Sequence, residues 1–160
     1  MAPLVLGYRL GMVPGSVVRA CVVRIGLRGV TVEHAAHAAA AFHRDVLMHA
    51  LRPAALDRIR WHQSQGDMVV VVSGAFDLIL SQWCREQQLE LISSELASVD
   101  GVLTGHYDGV QCVGDEKSRR VRERYDLERF PVVYAYGDTR EDMSLLALAH
   151  KRYFRWKEMA

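Results

Sequence analysis

The sequence predicts an α/β fold in which a parallel sheet carries helices on both faces and follows an all-helical N-terminal region. Residues 68–72 and 132–136 are short apolar runs without alternation, the pattern of strands covered on both faces. Helical stretches separate these runs, and strands that alternate with helices favour parallel pairing through right-handed crossovers. Because no strand pattern precedes residue 52, we expect residues 1–52 to form a helical region and residues 53–160 to form the α/β core.

Turn and capping residues divide the N-terminal region and the start of the core into helices. Pro14 and Gly15 supply a turn, and Thr31 can cap the helix that follows it. Pro53 and Gly66 occupy the first position and the position just past the end of another helix, where Pro and Gly are favoured. The predicted helices cover residues 4–10, 16–27, 32–48 and 53–65.

The rest of the core is predicted to alternate between strands and helices. Asp100 and Gly101 stand between Val99 and Val102, which is a hairpin signal. The predicted strands are residues 68–72, 89–92, 132–136 and 152–156, and the predicted helices are residues 76–87, 116–125 and 141–149.

Composition excludes several classes of protein. Twenty basic and nineteen acidic residues give a net charge of +1, which argues against a general nucleic-acid binder. Half of the residues are apolar, which argues against a disordered chain. Three widely spaced cysteines form no disulfide framework and no CxxC pair, so we expect a reducing, cytoplasmic location.

The basic N-terminus predicts no membrane span. Arginines interrupt the apolar run too often for a transmembrane helix, and no acidic residue precedes Glu33. The first arginine, Arg9, follows the apolar residues 1–7, whereas a signal peptide carries its positive charge before the apolar stretch. A helical hairpin of a soluble protein is the favoured interpretation, with a membrane-surface amphipathic segment as the alternative.

Polar residues follow two of the predicted strands, where ligands of open parallel sheets bind. Ser73 and Gly74 place a hydroxyl and an unhindered backbone at the predicted start of a helix, which favours an anion. Asp138 ends a strand and Asp142 lies in the first turn of the next helix, so the two carboxylates can share Mg²⁺, one of them through water. Lys117, in the first turn of a helix, indicates an anionic partner.

Each feature also has an ordinary structural explanation, because serines and Gly-Asp pairs after strands usually form turns and lone lysines are usually solvated. The order of the features is more specific. VVVSG (70–74), GDEK (114–117) and YAYGDTRED (134–142) resemble the second, third and fourth motifs of the haloacid dehalogenase-like (HAD) superfamily, subfamily IB, which includes phosphoserine phosphatases. LGYRLGMVP (6–14) resembles the helical cap of those enzymes. The resemblance implies a HAD-type, Rossmann-like core behind an N-terminal cap.

The chain departs from this family at its first motif, an apolar strand followed by DxDxT. The first acidic residues are Glu33 and Asp45, both in helical sequence, so the nucleophilic aspartate of the family has no counterpart here. In the family this strand is central and lies between the strands that here end at Ser73 and Asp138. We therefore expect the hydrophobic core to lack one layer, and each of the two neighbouring strands to expose an edge of unpaired backbone groups. A gene-model error, a true truncation and a degenerate paralogue all remain open.

The resemblance implies a role for each site residue. Ser73 and the Gly74 N–H would bind the transferring phosphoryl oxygens, and Lys117 would neutralise charge on the phosphate and the nucleophile. Asp138 would ligate Mg²⁺, and Asp142 would hold a metal-bound water. Phosphoryl transfer depends mainly on such positioning and charge neutralisation.

Three functional hypotheses follow. The first is a Mg²⁺-dependent phosphomonoester hydrolase that acts on a small phosphorylated metabolite and is inactive in the chain as written. The second is a non-catalytic remnant that binds phosphate or metal. The third is a helical interaction protein that uses its basic N-terminal helices.

Overall fold

The computed structural model describes residues 13–159. The helix predicted over residues 4–10 lies outside the described residues, as does most of the cap-like segment 6–14. The described chain begins with three helices, α1 (Gly15–Leu27), α2 (Val32–Phe42) and α3 (Pro53–Ser64). The predicted helix over residues 32–48 is observed as α2 followed by a π-helical turn, His43–Leu47, and a short α-helical turn, Met48–Ala50. Thr31 caps α2, because its hydroxyl oxygen accepts a hydrogen bond from the His34 N–H at 3.2 Å.

The remaining elements alternate between strands and helices. The strands are β1 (Val70–Phe76), β2 (Glu90–Val99), β3 (Val102–Asp108), β4 (Tyr134–Gly137), β5 (Lys151–Phe154) and β6 (Lys157–Glu158). The helices are α4 (Asp77–Glu86), α5 (Asp115–Arg124) and α6 (Met143–Leu146), with 3₁₀ turns at Leu127–Arg129 and Arg140–Asp142. The α/β class predicted from the sequence is confirmed.

The described strands form two three-stranded sheets rather than one. In the first sheet β1 pairs parallel with β2, and β2 pairs antiparallel with β3 across the predicted hairpin, where Val99 faces Val102. In the second sheet β4 pairs parallel with β5, and β5 pairs antiparallel with β6. Within the described residues, β1 and β4 each have a single neighbour and expose one edge. Among the described residues, each of the two strands therefore has one edge without a partner strand, as the family resemblance leads us to expect.

Two apolar clusters cover β1 from opposite sides. Val69 and Val71 pack against a cluster of Trp83, Cys84 and Leu89. The alternate residues Val70 and Val72 pack against a second cluster, whose buried members are Ile92, Cys112 and Val121. Since successive side chains of a strand point to opposite faces, the uninterrupted apolar run reflects burial on both faces.

Cys84 lies in the first of these clusters and is almost fully buried. Burial raises the pKa of its thiol to about 11, so the group stays protonated near neutral pH. Cys84 is therefore a core residue. Between residues 13 and 159, no helix is long and apolar enough to cross a membrane.

Candidate active site

A buried ion pair joins the two helical segments that follow β3 and β4. Lys117 lies in the first turn of α5, and its Nζ donates a hydrogen bond to Asp142 Oδ1 at 2.5 Å. Each side chain is only 10% exposed. A lysine is rarely buried to this extent unless it is paired, so the two residues depend on each other.

The second carboxylate oxygen of Asp142 organises the loop after β4. Oδ2 accepts hydrogen bonds from the Asp138 N–H at 3.1 Å, the Thr139 N–H at 3.0 Å and the Thr139 hydroxyl at 2.8 Å. Thr139 and Asp142 form a reciprocal capping box on the 3₁₀ turn. With the Lys117 bond, the carboxylate accepts four hydrogen bonds, which is about its full capacity.

These bonds stabilise the ionised form of Asp142. Burial opposes ionisation of this carboxyl group, but the hydrogen bonds from Lys117 and Thr139 outweigh it. The pKa of Asp142 therefore lies below its usual value of 3.8. The carboxylate is a fixed anion at neutral pH.

The glycine before Asp138 is required by close packing. A Cβ at Gly137 would lie 2.6 Å from the Cβ of Asp142, closer than two carbon atoms can approach. The Gly-Asp pair therefore has a structural reason: glycine lets β4 end directly over Asp142, and Asp138 follows immediately. The spacing of four residues places the Asp138 N–H on the Asp142 carboxylate.

Asp138 differs from Asp142 because its carboxylate is accessible. Its side chain is 49% exposed, and its Oδ2 lies 3.3 Å from the guanidinium of Arg52. Arg52 precedes α3 and is itself 63% exposed. A half-exposed carboxylate with one exposed partner fits a ligand for Mg²⁺, which prefers carboxylate oxygens and retains several waters.

Ser73 lies within β1, not at a helix start. The sequence places Ser73 and Gly74 at the beginning of a helix, but the strand continues to Phe76 and α4 begins at Asp77. A register shift between Ser73 and Phe76 produces this extension, and Ser73 Oγ accepts a hydrogen bond from the Ala75 N–H at 3.1 Å. The prediction that a helix dipole acts at Ser73 is therefore wrong, whereas the hydroxyl hydrogen remains able to donate.

The Lys117 corner is the cluster formed by Lys117, Asp142, Thr139 and the Asp138 N–H. Contacts through residues 112–114 connect the end of β1 to this corner. A Cβ at Gly74 would lie 2.8 Å from a Val113 methyl group, so the backbone of β1 approaches this segment closely. Ser144, on α6, donates a hydrogen bond to the Gly114 carbonyl at 3.0 Å. The fold therefore gathers Lys117, Asp138 and Asp142 directly and connects Ser73 and Gly74 to them through one loop.

Two arginines of the helical region reach the same edge, and sequence reasoning missed both contacts. Arg19, on α1, donates hydrogen bonds to Gln111 at 3.1 Å and to Glu141 at 3.0 Å. Arg52 contacts Asp138, as described above. Their partners lie between 86 and 122 positions away in the chain, and no local pattern signals a contact of that range.

Asp142 has no spare acceptor for a metal-bound water in this arrangement. To hold such a water, its carboxylate would have to release one of its four donors, so that role remains a prediction. Within residues 13–159, no group of three His, Cys, Asp or Glu residues forms a candidate metal cage. Of the two carboxylates of the site, that of Asp138 is the accessible one, and its contact is with the exposed Arg52.

Comparisons with known proteins identify the family of the chain. The family model for haloacid dehalogenase-like hydrolases matches residues 19–147. Protein CicA of Caulobacter vibrioides is 32% identical over 157 residues, which is 97% of this chain and 70% of CicA. Phosphoserine phosphatase SerB2 of Mycobacterium tuberculosis is 33% identical over 102 residues, which is 62% of this chain and 25% of SerB2.

A solved structure shows the same fold. A protein of unknown function from Bordetella pertussis superimposes with a TM-score of 0.85 at 23% identity, covering 96% of this chain and 71% of that one. With the family match over most of its length and relatives that include a phosphoserine phosphatase, the chain belongs to the haloacid dehalogenase-like hydrolases.

Proposed function

We propose that this chain carries the metal- and phosphate-binding part of a Mg²⁺-dependent phosphomonoester hydrolase that acts on a small phosphorylated metabolite in the cytoplasm. The observation that carries the proposal is the joining of Lys117, Asp142 and Asp138 at one sheet edge. The Asp142 carboxylate, which accepts four hydrogen bonds, holds Lys117. The carboxylate of Asp138 is accessible and could bind a cation. Membership of the family and a phosphoserine phosphatase relative support the choice of reaction.

Each residue has a proposed role in holding a phosphorylated substrate. Asp138 would hold Mg²⁺, which when bound neutralises charge on the phosphoryl oxygens. Lys117, fixed by Asp142, would place a second positive charge at the same edge. The Ser73 hydroxyl and the Gly74 N–H would donate hydrogen bonds to phosphoryl oxygens, since the Ser73 oxygen uses only an acceptor position for Ala75.

The residue that would take the phosphoryl group is absent from this set. The resemblance implies a nucleophilic aspartate in a DxDxT motif, and the sequence has no acidic residue before Glu33. We therefore expect the 160-residue polypeptide alone to bind metal and phosphate without turning over a phosphomonoester. A non-catalytic phosphate- or metal-binding protein is the second candidate function, and the accessible carboxylate of Asp138 favours it equally.

Metal binding tests the part that both candidates share. We expect Mn²⁺, titrated into the chain and followed by electron paramagnetic resonance, to bind and to be displaced by Mg²⁺. Asp138→Asn removes the accessible charge and should weaken Mn²⁺ binding at least ~10-fold, because one carboxylate supplies much of the attraction at such sites. Glu128→Gln removes one exposed carboxylate elsewhere and serves as the matched control. Equal Mn²⁺ affinity in the two variants would remove Asp138 from the proposed site.

A further inference from the structure

Three aromatic rings surround the guanidinium of Arg58, which lies on α3. The guanidinium carbon is 5.2 Å from the ring centre of Trp61 and 5.8 Å from the ring centres of Tyr136 and Tyr153. A fourth ring, that of Trp156, lies 6.1 Å from Tyr136, centre to centre. These five residues form the Arg58 cluster, which joins α3 to β4, to β5 and to the turn that follows β5.

The rings of the Arg58 cluster already hold one cation. A guanidinium within about 6 Å of a ring centre is attracted by the negative face of the ring. Tyr136 and Tyr153 stack on each other with their planes 10° apart, so Arg58 lies over two parallel rings as well as over Trp61. A cationic ligand would be repelled by Arg58, and the cluster therefore does not fit a cation.

The hydrogen-bonding capacity of Arg58 is unused. Within residues 13–159, its guanidinium makes no hydrogen bond and no ion pair, although the group carries five N–H donors. Arg58 is half-buried, whereas the other arginines of this part of the chain that lack such a partner are exposed to water. The exposed ones are Arg28, Arg44, Arg85, Arg122 and Arg140. Arg58 therefore stands out as a partly desolvated cation without an acceptor.

The hydroxyl of Tyr136 does not serve as that acceptor. In the neutral ring, His62 Nε2 accepts a hydrogen bond from the Tyr136 hydroxyl at 2.9 Å, and His62 Nδ1 donates one to Asp67 at 2.7 Å. Burial raises the pKa of Tyr136 to about 12, although Arg58 acts in the opposite direction. Tyr136 is therefore uncharged at neutral pH, and no anion of the cluster balances Arg58.

The turn that carries Trp156 has a strained backbone. Arg155 and Trp156 alone join β5 to β6, and their φ angles are 51° and 66°. Such two-residue turns usually contain Asn and Gly, because larger side chains disfavour positive φ. Arg155 anchors the turn, since its N–H donates to the Gly137 carbonyl at 2.8 Å and its Nε donates to the Asp138 carbonyl at 3.1 Å. Strained residues held in this way cluster at ligand-binding positions.

The Arg58 cluster opens onto a space large enough for a small molecule. Arg58, Trp61, Tyr136 and Trp156 all line the apolar groove between β1 and β4, which has a volume of about 840 Å³. Trp61 is 41% exposed and Trp156 is 43% exposed. Two exposed indole rings and an unpaired guanidinium thus border the same groove, and they offer a ligand both apolar surface and positive charge.

We propose that the Arg58 cluster binds an aromatic oxyanion, that is, a flat ring that carries a carboxylate or a phosphate group. The planar guanidinium donates two parallel hydrogen bonds to the oxyanion. The ring of the ligand packs on the exposed indoles of Trp61 and Trp156. No residue of the Lys117 corner takes part, so the proposal does not rest on the proposed function.

Four small molecules, titrated into the 160-residue chain, test the proposal. Benzoate and phenylphosphonate carry the two oxyanions, and phenylphosphonate has no ester bond that a phosphatase could hydrolyse. Benzamide keeps the ring without the charge, and acetate keeps the charge without the ring. The indole N–H signals of the three tryptophans, followed by NMR, report binding. Trp83, which is 5% exposed in the core, serves as the internal reference.

We expect benzoate, phenylphosphonate or both to shift the signals of Trp61 and Trp156 to saturation and to leave that of Trp83 in place. Benzamide and acetate should bind at least ~10-fold more weakly, because each lacks one of the two contacts. The tighter of the two aromatic probes identifies the preferred oxyanion. Absence of binding by both aromatic probes, or equal affinity for benzamide or for acetate, would overturn the proposal.

Variants of Arg58 give a second, independent test. Arg58→Lys keeps the charge but loses the planar pair of donors, and it should weaken binding of the preferred probe at least ~5-fold. Arg58→Gln should abolish binding. Arg60→Gln removes an exposed arginine of the same helix and is the matched control, which should bind like the unaltered chain. Equal affinity in Arg58→Gln and Arg60→Gln would overturn the proposal. If the Trp83 signal shows that Arg58→Gln is unfolded, the same comparison is made with Arg58→Lys.

Discussion

The Lys117 corner lies beside an apolar groove between β1 and β4, yet the polar groups of the corner are all paired while the facing edges of the two strands are not. At the corner, Asp142 satisfies Lys117, Thr139 and the Asp138 N–H within a few ångströms. In the groove, which has a volume of about 840 Å³, neither β1 nor β4 has a partner strand on this side among the described residues. Among the described residues, the Lys117 corner is therefore fully hydrogen-bonded although the two sheets beside it are not joined.

The two regions differ because their contacts come from different parts of the chain. The corner uses residues within one loop, from 137 to 142, and a single helix turn that the loop faces, so each bond forms when two neighbouring elements pack. The groove instead lies between elements of two separate sheets. We therefore expect the largest effects from changes at the corner.

The strongest test breaks the buried pair. Asp142→Ala leaves the Lys117 ammonium buried without its carboxylate, and we expect a loss of about 3 kcal/mol in the free energy of unfolding, measured with urea. Asp126→Ala is the control, because it removes an exposed pair with Arg129 and should cost at most ~1 kcal/mol. If the two variants unfold at the same urea concentration, the corner contributes no special stability.

A second test concerns the close packing of β4 on Asp142. Gly137→Ala inserts a methyl group 2.6 Å from the Asp142 Cβ, and we expect it to destabilise the protein by about 1–3 kcal/mol. Gly26→Ala provides the contrast, since a Cβ there meets nothing within 4 Å and lies in α1, where Ala stabilises a helix by up to ~1 kcal/mol. Thermal unfolding of both variants measures the difference, and equal shifts in Tm would show that the contact is not tight.

Acid should weaken the Lys117 corner. The pKa of Asp142 is lower in the folded protein than its ordinary value of 3.8, so its contribution to stability is fully present above that value and disappears as pH falls through the lower, folded pKa. Urea unfolding at a series of pH values from about 6 to about 2 should show this loss, with a smaller slope in Asp142→Asn. An unchanged slope in the variant would assign the acid sensitivity to other carboxyl groups, including Glu116, whose pKa is lowered to about 2 by its hydrogen bond to Arg119.

Sequence patterns predict the local parts of this molecule well. The hairpin at Asp100 and Gly101 and the Thr31 cap depend on neighbouring residues, and both are observed. The uninterrupted apolar run at 68–72 predicts coverage on both faces, which the two clusters around β1 confirm.

Long-range and irregular features escape sequence reasoning. The pairing of Lys117 with Asp142 joins residues 25 positions apart, and the sequence predicts both as site residues but not the bond between them. The residues around Ser73 give no sequence signal for the register shift that keeps Ser73 inside β1. The residues of the π-helical turn at His43–Leu47 likewise give no signal for that turn. These features depend on how helices and strands pack against each other, and patterns of neighbouring residues do not reveal that packing.

The smallest expected effect concerns the contact between Arg52 and Asp138. The guanidinium lies 3.3 Å from the carboxylate that we propose for Mg²⁺, so a cation must displace or share it. Both side chains are about half exposed or more, and such a pair is worth ~0.2–1 kcal/mol. Arg52→Gln should therefore tighten Mn²⁺ binding by up to about five-fold at low salt. The gain should shrink at high ionic strength, where exposed charges are screened.

Arg60→Gln is the control: it removes an exposed arginine that pairs with Asp57 instead of Asp138, and it should leave the Mn²⁺ affinity unchanged. Weaker Mn²⁺ binding in Arg52→Gln than in Arg60→Gln would mean that Arg52 supports the cation site and does not compete for Asp138.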